Sequence, residues 1–455
     1  MTELDYVIVI VYLLTVLSLG VWAGRKVRNL EDYAVGGRAY PAIIVFATLS
    51  ASFIGGGFTM GSAEKVFLIG IANVFALWGF SLKEILVAKF IAPRVKAFPK
   101  AISPGDVMEE NFGKVGKIVT GIFSVLLCAG ILGAQVGAIG YIFNLFLGIP
   151  TLWGILIGVG IVLIYDFIGG MRAVVATDVL QFCVLIIGIP LALFFGIQHI
   201  GGWNAFVAAV PPGHFELFGQ ISPIAFISLF LTFLIGETLV PPYIRRLFIG
   251  KNVKAVENGT FWSGMISMPF FAVTGMIGLV ALVLDPSLNA NLALPYVVQE
   301  TLPTGLLGIV IAGVIAIAMS SADSFLNSAS VAVVNDIVKP LCKKELTQKA
   351  GLMTARVAVL VTGVLSIYFA VSIESILDIL IYAYNFWAPV ILVPLAASLL
   401  GMRAGMKAFV GSAICGVFGV FAWNYFMPNS EFNGLLIGFF ASLVSFSILK
   451  RFDNV

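Results

Sequence analysis

Three consecutive glycines interrupt an apolar stretch near the start of the chain. Residues 50–57 read SASFIGGG and lie inside an apolar run that covers residues 41–67. Glycine is unfavourable in a helix, and lipid tolerates irregular backbone only where protein or a water-filled cavity surrounds it. Carbonyl groups freed at such a break can coordinate a cation, and the next half-helix directs its N-terminus at an anion. The segment therefore predicts a place within a membrane where a small ion or solute is held.

A second break is expected at residues 236–242, which read GETLVPP. Proline removes a backbone donor and clashes with the preceding turn, so the proline pair interrupts this apolar span beside the carboxylate of Glu237. Two unrelated kinks remain an alternative, because transmembrane helices tolerate them.

Charged residues also stand inside apolar segments. Lys83 and Glu84 lie near the middle of one span, where buried charges must pair or face water. Glu237 is a candidate partner for Lys83, which would make a structural ion pair. The alternative is that one or both side chains contact a solute, and a Lys83 that faces the cavity favours a carboxylate-bearing solute.

The elements that position these residues are membrane helices. Of the 455 residues, 60% are hydrophobic and 11% are charged, whereas soluble proteins carry about 25% charged residues. Only two histidines are present, which argues against a histidine metal site. Thirteen apolar segments reach the length of about 20 residues that spans a bilayer. They cover residues 4–24, 41–67, 71–93, 116–147, 150–168, 173–196, 221–244, 256–283, 303–336, 350–372, 375–400, 404–427 and 434–449.

The distribution of basic residues predicts the orientation. All but Lys65, Lys83 and Lys89 of the 26 Lys and Arg residues fall on one side when successive spans alternate, and the long loop at residues 197–220 has none. This asymmetry predicts an outside N-terminus and an inside C-terminus. The two breaks fall in spans two and seven, an odd offset that suggests two five-helix units of opposite orientation.

Four motifs occur in order along the chain: DYAVGGR at residues 32–38, GGMRAVVATDVLQ at 169–181, YIRR at 243–246 followed by Lys-Asn at 251–252, and AMSSADS at 318–324. Together they resemble the sodium:solute symporter family over nearly the whole chain. The resemblance implies a single all-α transporter domain with a LeuT-type 5+5 inverted repeat. Residues 1–40 would form the extra first helix and inner loop, 41–200 and 221–400 the two repeats, and 401–455 two C-terminal helices.

The resemblance also implies a sodium site between the first break and the ninth span. Its ligands would be the backbone carbonyls of Ala51, Ile54 and Ile317 and the hydroxyls of Ser320 and Ser321. About five neutral oxygens suit a hard cation. The alternative for the serines is a hydrogen bond to a carbonyl one turn earlier in their own helix.

Three further residues are candidates for an ion path or a second cation site. By the resemblance, Asp178 beside Thr177 lies on the sodium exit path or helps to form a further sodium site. The alternative is an interfacial residue in the first turn of a helix, where the helix dipole favours Asp. Asp323 either steers the cation or holds helix packing.

Other side chains could line a solute cavity. Phe53 stands at the break where proline-type members carry Asp and choline-type members carry Trp, and Val240 replaces a second Trp of the choline branch. A cation–π cage for choline would therefore lack two indoles. The tentative cavity set is Phe53, Gly55, Gly56, Lys83, Glu84, Gln135, Tyr141, Glu237, Tyr382, Tyr384, Asn385 and Trp387.

The sequence thus predicts a transporter rather than an enzyme. It would couple Na⁺ to the inward movement of a small polar organic solute of the amino acid, carboxylate, vitamin or sugar class by alternating access. A proton-coupled symporter and a non-transporting, transporter-like sensor are the alternatives. The expected partners are Na⁺, the solute and membrane lipid but no nucleic acid. We expect a monomer in the cell membrane, with a multi-pass topology and a bacterial inner-membrane location.

Overall fold

The computed structural model describes residues 1–343, 346–372 and 387–453, and these ranges fold into helices joined by loops. The first eight helices are α1 Glu3–Gly24, α2 Leu30–Val35, α3 Ala42–Phe53, α4 Gly56–Ile69, α5 Ala72–Leu86, α6 Pro104–Leu147, α7 Thr151–Ile200 and α8 Trp203–Ala209. The described helices that follow are α9 Pro223–Ile235, α10 Pro241–Leu247, α11 Val253–Leu284, α12 Ala293–Thr301, α13 Leu306–Val331, α14 Lys339–Leu341, α15 Gln348–Ser372, α16 Val393–Leu399, α17 Met406–Phe426 and α18 Gly434–Leu449. Short π-helical segments follow α5 and α13 and precede α16.

The lengths of these helices fit a membrane. Eight described helices are long and apolar enough to cross a bilayer, or nine when the bent pair α3 and α4 counts as one span. Two shorter apolar helices, Pro223–Ile235 and Ala388–Leu399, lie within predicted spans. The all-helical, multi-pass fold is confirmed, whereas the count of thirteen, the orientation and the repeat boundaries stay predictions.

Two long helices are bent at glycines with left-handed backbone. α7 has 50 residues, so at about 1.5 Å per residue it is far longer than the roughly 30 Å hydrocarbon layer. It turns at Gly170, where φ is 48°, and a Cβ there would lie 2.5 Å from the Tyr33 carbonyl oxygen. α6 turns in the same way at Gly113, where φ is 59°. The bend at Gly170 divides α7 into the two segments that the sequence predicted at residues 150–168 and 173–196.

Helix α13 lies at the centre of the fold. Almost every residue along it is buried, and it packs against α1, α3, α6, α7, α10 and α15. Its first turn is held by Asp5 of α1, whose Oδ1 accepts hydrogen bonds from the backbone N–H groups of Gly305 (2.8 Å) and Gly308 (3.0 Å). The first N–H groups of a helix lack partners within the helix, so this contact fixes α13 at its start.

The sequence motifs meet one another in space. Arg172 of the second motif donates to Asp32 of the first across 2.8 Å. Arg38 donates to the carbonyl of Ala101 at 2.7 Å, and Asn252 caps α11 by accepting from the N–H of Ala255 at 2.8 Å. These motif residues therefore have a structural role, because their hydrogen bonds join loops to helix ends.

Candidate cation and solute site

The predicted break is present between α3 and α4, and the axes of the two helices differ by 48°. α3 ends at Phe53 and α4 begins at Gly56. The last carbonyls of a helix have no partner within that helix, so they are available to other donors or to a cation. One of them, the carbonyl of Ile54, accepts a hydrogen bond from the Thr59 hydroxyl.

Ser321 of α13 faces this break directly. A Cβ placed on Gly55 would lie only 2.0 Å from the Ser321 Oγ and 2.9 Å from the Ser52 carbonyl oxygen. The hydroxyl therefore occupies the space that the absent side chain leaves. The structure thus brings together two of the features predicted from distant parts of the sequence, the glycine break and the serine pair.

Ser320 turns to the other side and donates to Asp178 Oδ1 at 2.5 Å. A hydroxyl that donates its proton keeps lone pairs on its oxygen, so Ser320 can still act as a cation ligand. Neither Ser320 nor Ser321 hydrogen-bonds in the described residues to a carbonyl one turn earlier, which was the alternative for this pair; Ser324 does, bonding to the Ser320 carbonyl at 2.7 Å.

Asp178 is fully buried and forms an ion pair with Arg246, whose Nη2 lies 2.8 Å from Asp178 Oδ2. The same Nη2 donates to Ser324 Oγ at 2.7 Å, and Arg246 Nε donates to Thr48 Oγ1 at 3.0 Å. The Thr48 hydroxyl in turn donates to Asp178. Asp178 is therefore not an interfacial residue at the start of a helix, because it lies inside α7 and within a buried network.

Arg246 was missed as a site residue by the sequence reasoning, which counted Arg245 and Arg246 among the inner-side charges. Both are buried instead. Arg245 donates to Asn327 Oδ1 at 2.7 Å, and Asn327 donates to Asp166 Oδ1 at 2.9 Å. The available signal was that an arginine inside an apolar helix requires a carboxylate or backbone partner.

Asp323 is held by hydroxyl groups. Tyr165 donates to its Oδ2 at 2.6 Å, Ser324 donates to its Oδ1 at 3.1 Å, and Thr177 lies 3.4 Å from Oδ2. Thr177 also bonds to the carbonyl of Ala173 at 3.0 Å. Asp323 thus joins α13 to α7, which agrees with a packing role.

We use the name α7–α13 charge cluster for the five buried ionisable groups Asp166, Asp178, Asp323, Arg245 and Arg246. Buried charges are costly unless they are paired or hydrogen-bonded, and the contacts described above provide such partners. The proposed cation position at Ser321 adjoins this cluster through Ser320 and Asp178.

Lys83 is enclosed by aromatic rings at the first break. Its Nζ lies 3.5 Å from the ring centroid of Phe80, 4.9 Å from that of Tyr243 and 5.4 Å from that of Phe53. Its ion pair is with Glu84 at 2.9 Å. The proposed pairing of Lys83 with the Glu237 carboxylate is wrong, because a long flexible lysine in this pocket reaches the carboxylate of its own neighbour.

The second break lies between the end of α9 and the start of α10 at Pro241. Leu239 within it has φ of 55°, a conformation that residues with a side chain rarely adopt. Glu237 accepts from the Tyr243 hydroxyl at 2.9 Å and offers its backbone carbonyl to Lys83 at 3.4 Å. Trp387 donates to the Thr238 carbonyl at 3.1 Å, so it lies against this break.

The remaining cavity candidates lie on α4 and α6 or outside the described residues. Gln135 is buried on α6, and its Oε1 has no hydrogen-bond partner among the described residues. Tyr141 lies two turns further along the same helix. Gly56 begins α4, and Tyr382, Tyr384 and Asn385 lie outside the described residues.

A helical membrane bundle with two broken helices, the first of which faces a buried serine pair, is the architecture of a LeuT-type secondary transporter. Such a site binds ions and solutes through neutral oxygen ligands and the ends of broken helices. The chain belongs to the sodium:solute symporter family, whose profile matches residues 33–416.

Curated relatives agree with this assignment. The chain is 25% identical to the sodium/glucose cotransporter of Vibrio parahaemolyticus, over 99% of this chain and 85% of that protein. It is 26% identical to the high-affinity proline transporter PutP of Bacillus subtilis, over 94% of both chains. Among solved structures, a Na⁺-coupled sialic acid symporter matches with a TM-score of 0.88 at 20% identity, covering 99% of this chain and 98% of that one.

Family membership therefore makes this chain a multi-pass symporter and not an enzyme, with Na⁺ as the coupling ion and a small organic molecule as the solute. This favours a transporter over a sensor and sodium over a proton. The relatives carry different solutes, so the fold does not name the solute of this chain.

Proposed function

We propose that Na⁺ binds at the break between α3 and α4 and drives a small polar organic solute into the cell by alternating access. The observation that carries this proposal is the position of the Ser321 hydroxyl, which fills the space beside Gly55. It brings a hydroxyl ligand from α13 to the unwound backbone of the second span. The proposed ligands are the carbonyls of Ala51, Ile54 and Ile317 and the hydroxyls of Ser320 and Ser321.

Thr59 and Asp178 each form a hydrogen bond with one of the proposed ligands, and each leaves that ligand a lone pair for Na⁺. The Ile54 carbonyl already accepts from Thr59, but a carbonyl oxygen has two lone pairs and can also face a cation. Asp178 accepts a hydrogen bond from the Ser320 hydroxyl, which directs the lone pairs of the Ser320 oxygen away from Asp178. Asp178 is thus a positioning residue for a neutral ligand.

Na⁺ at this position would link the broken span to the central helix. Bound Na⁺ holds the ends of α3 and α4 against α13, so it favours the state in which the break is ordered for solute binding. The solute then allows closure, and release follows on the inner side. The membrane potential contributes about 2.3 kcal/mol per charge for each 100 mV, in addition to the Na⁺ concentration gradient.

The solute is proposed to lie between the two breaks, beside Phe53, Lys83 and Trp387. The aromatic rings around Lys83 form a cage of the kind that binds quaternary ammonium groups, and Lys83 fills it with its own ammonium. This argues against choline in that cage, and we propose a solute of the amino acid, carboxylate, vitamin or sugar class. Glu84 and the Glu237 backbone carbonyl already contact the Lys83 ammonium group. Lys83 alone is therefore weaker evidence for a solute that carries a carboxylate.

The repeat boundaries, the oligomeric state and the membrane location are also proposals. We propose that residues 41–200 and 221–400 form the inverted repeats, since one break falls in each. A monomer in a bacterial inner membrane is proposed, and the bacterial sources of the relatives support that location.

The test is Na⁺-driven uptake in proteoliposomes, after a thermal-shift screen of amino acids, carboxylates, vitamins and sugars with and without Na⁺. We expect a stabilising solute that is taken up only with an inward Na⁺ gradient. Ser321→Ala should lose the Na⁺ response. Ser447→Ala should keep it, because that hydroxyl is exposed and bonds only to the Leu443 carbonyl. A wild-type protein without any Na⁺ response would refute the proposal.

A further inference from the structure

We infer that a cavity between α9, α16 and α18 holds one acyl chain of an anionic membrane phospholipid, whose headgroup lies at Lys450. This lipid cavity has a volume of about 290 Å³ and runs from Lys450 to Thr238 in the second break. The inference assigns a lipid site and does not depend on where Na⁺ binds.

The walls of the lipid cavity are apolar. They include Ile235 of α9, Ala396 of α16, and Phe439 and Leu443 of α18. Leu443 is 40% exposed and Ala396 is partly exposed, so the cavity is accessible from outside the bundle. Lipid chains are as apolar as leucine side chains. An acyl chain therefore suits these walls.

One end of the lipid cavity is basic. Lys450 is the one charged residue among the described residues that line it, and its Nζ lies 3.8 Å from Met402 Sδ. A thioether is a weak acceptor, so the ammonium group keeps donors for a phosphate. Arg403 and Arg451 adjoin these two residues in the sequence, and both are exposed. Basic groups beside an apolar pocket between membrane helices are typical of sites for anionic lipid headgroups.

Two further contacts shape the charge at this end. Arg94 donates from Nη1 to the carbonyl of Leu400 at 2.9 Å, which places another exposed guanidinium beside a lining residue. The carboxylate of Asp453 accepts from the backbone N–H groups of Gly405 (2.8 Å) and Ala408 (3.1 Å) at the start of α17. Asp453 is thus engaged with a helix end, and the charge complements an anionic headgroup.

The length of the lipid cavity matches one leaflet of a bilayer. Its lining residues on α18 extend from Phe439 to Lys450. At about 1.5 Å per residue this is about 16 Å, and half of the hydrocarbon layer is about 15 Å. A helix of that length, about 10 Å across, would need on the order of 1000 Å³. The cavity therefore admits an extended acyl chain and is too small for a helix of a partner protein.

The other end of the lipid cavity lies at the second break. Thr238 lines it there, and the Thr238 carbonyl accepts the hydrogen bond from Trp387. Binding sites of broken-helix transporters lie near the middle of the bilayer, which is the depth that one leaflet of acyl chain reaches. The bound chain thus packs against the backbone of the second break.

Native mass spectrometry of the purified full-length protein tests this inference. The protein is equilibrated with an equimolar mixture of phosphatidylglycerol and phosphatidylcholine that carry the same acyl chains. We expect the wild type to retain phosphatidylglycerol in preference. Lys450→Gln should lower this preference roughly five-fold, because one basic residue near the headgroup contributes about that factor. Lys349→Gln is the matched control, since Lys349 is exposed, is predicted on the same side and does not line the cavity.

A second pair of variants tests the acyl chain. Ala396→Phe fills the lipid cavity and should remove the preferentially retained lipid. Val444→Phe adds a ring of the same size at a position of α18 that is 57% exposed and outside the cavity, so it should retain the lipid. Excess inorganic phosphate should not displace phosphatidylglycerol, because the apolar walls bind the chain.

A wild-type protein without a preference for phosphatidylglycerol overturns the inference. Equal preferences in Lys450→Gln and Lys349→Gln, displacement of the lipid by inorganic phosphate, or a folded Ala396→Phe protein that retains lipid as the wild type does would also overturn it. If Ala396→Phe does not fold, the two lysine variants decide. None of these outcomes bears on Na⁺ coupling, which the uptake assay tests separately.

Discussion

Replacing Gly55 by alanine tests the contact on which the cation position depends. The backbone of Gly55 has φ of −47° and ψ of 165°, which alanine also adopts, so the substitution causes no left-handed strain. The new methyl group would lie 2.0 Å from Ser321 Oγ, far inside van der Waals contact. The Ser321 hydroxyl must therefore rotate away from the break.

The size of the effect follows from the loss of one ligand. A hydrogen bond to a charged group contributes about 1.5–3 kcal/mol, and an ion–hydroxyl contact is taken to be similar. Since about 1.4 kcal/mol is a factor of ten, Gly55→Ala should weaken Na⁺ binding roughly 10- to 150-fold. Overpacking should also lower stability by about 1–3 kcal/mol, partly through the Ser52 carbonyl oxygen at 2.9 Å.

The assay is a Na⁺ titration of the apparent melting temperature at constant ionic strength. Gly61→Ala is the matched control on the same half-helix, because nothing lies within 4 Å of the added Cβ. In a Ser321→Ala background, Gly55→Ala should have almost no further effect on Na⁺ affinity, since the ligand is already absent. A folded Gly55→Ala protein with wild-type Na⁺ affinity would refute the reasoning, as would additive effects of the two substitutions.

Three further changes have defined outcomes. Lys83→Met leaves Glu84 as an uncompensated buried charge and should cost about 3–5 kcal/mol of stability, and the double variant Lys83→Met/Glu84→Gln should melt at a higher temperature than the single one. Asp323→Asn replaces the carboxyl group that accepts the Tyr165 hydroxyl at 2.6 Å by a weaker acceptor, so the melting temperature should fall, and an unchanged value would contradict a packing role for Asp323. Gly170→Ala forces a side chain onto left-handed backbone 2.5 Å from the Tyr33 carbonyl oxygen and should lower the melting temperature, whereas Gly160→Ala on the same helix has open space and should not.

The helix breaks and the serine pair could be predicted because their signals are local. Three glycines or two prolines disturb a helix wherever it packs, and apolar length fixes most span boundaries. The serine pair was matched to the first break through the resemblance, and Ser321 does lie against Gly55. The bend at Gly170 also falls between two predicted spans.

The partners of the buried charges could not be predicted in the same way. Asp178 and Arg246 are 68 positions apart in the sequence, and only the packing of α7, α10 and α13 brings them together. Counting basic residues by side treats them as solvated, and Arg246 is not. Lys83 was matched to Glu237 because that carboxylate stands at the other helix break, but the long Lys83 side chain bends to Glu84.

The most direct test of the Na⁺ position is a pair of cryo-electron microscopy maps of the wild-type protein, one in NaCl and one in KCl. The predicted result is a density in NaCl alone, between Ser321 Oγ and the backbone of the break at Ala51 and Ile54, with the Arg246 side chain still beside Asp178. A Na⁺ density beside Asp178, with Arg246 displaced and nothing at Ser321, would contradict the proposed cation position.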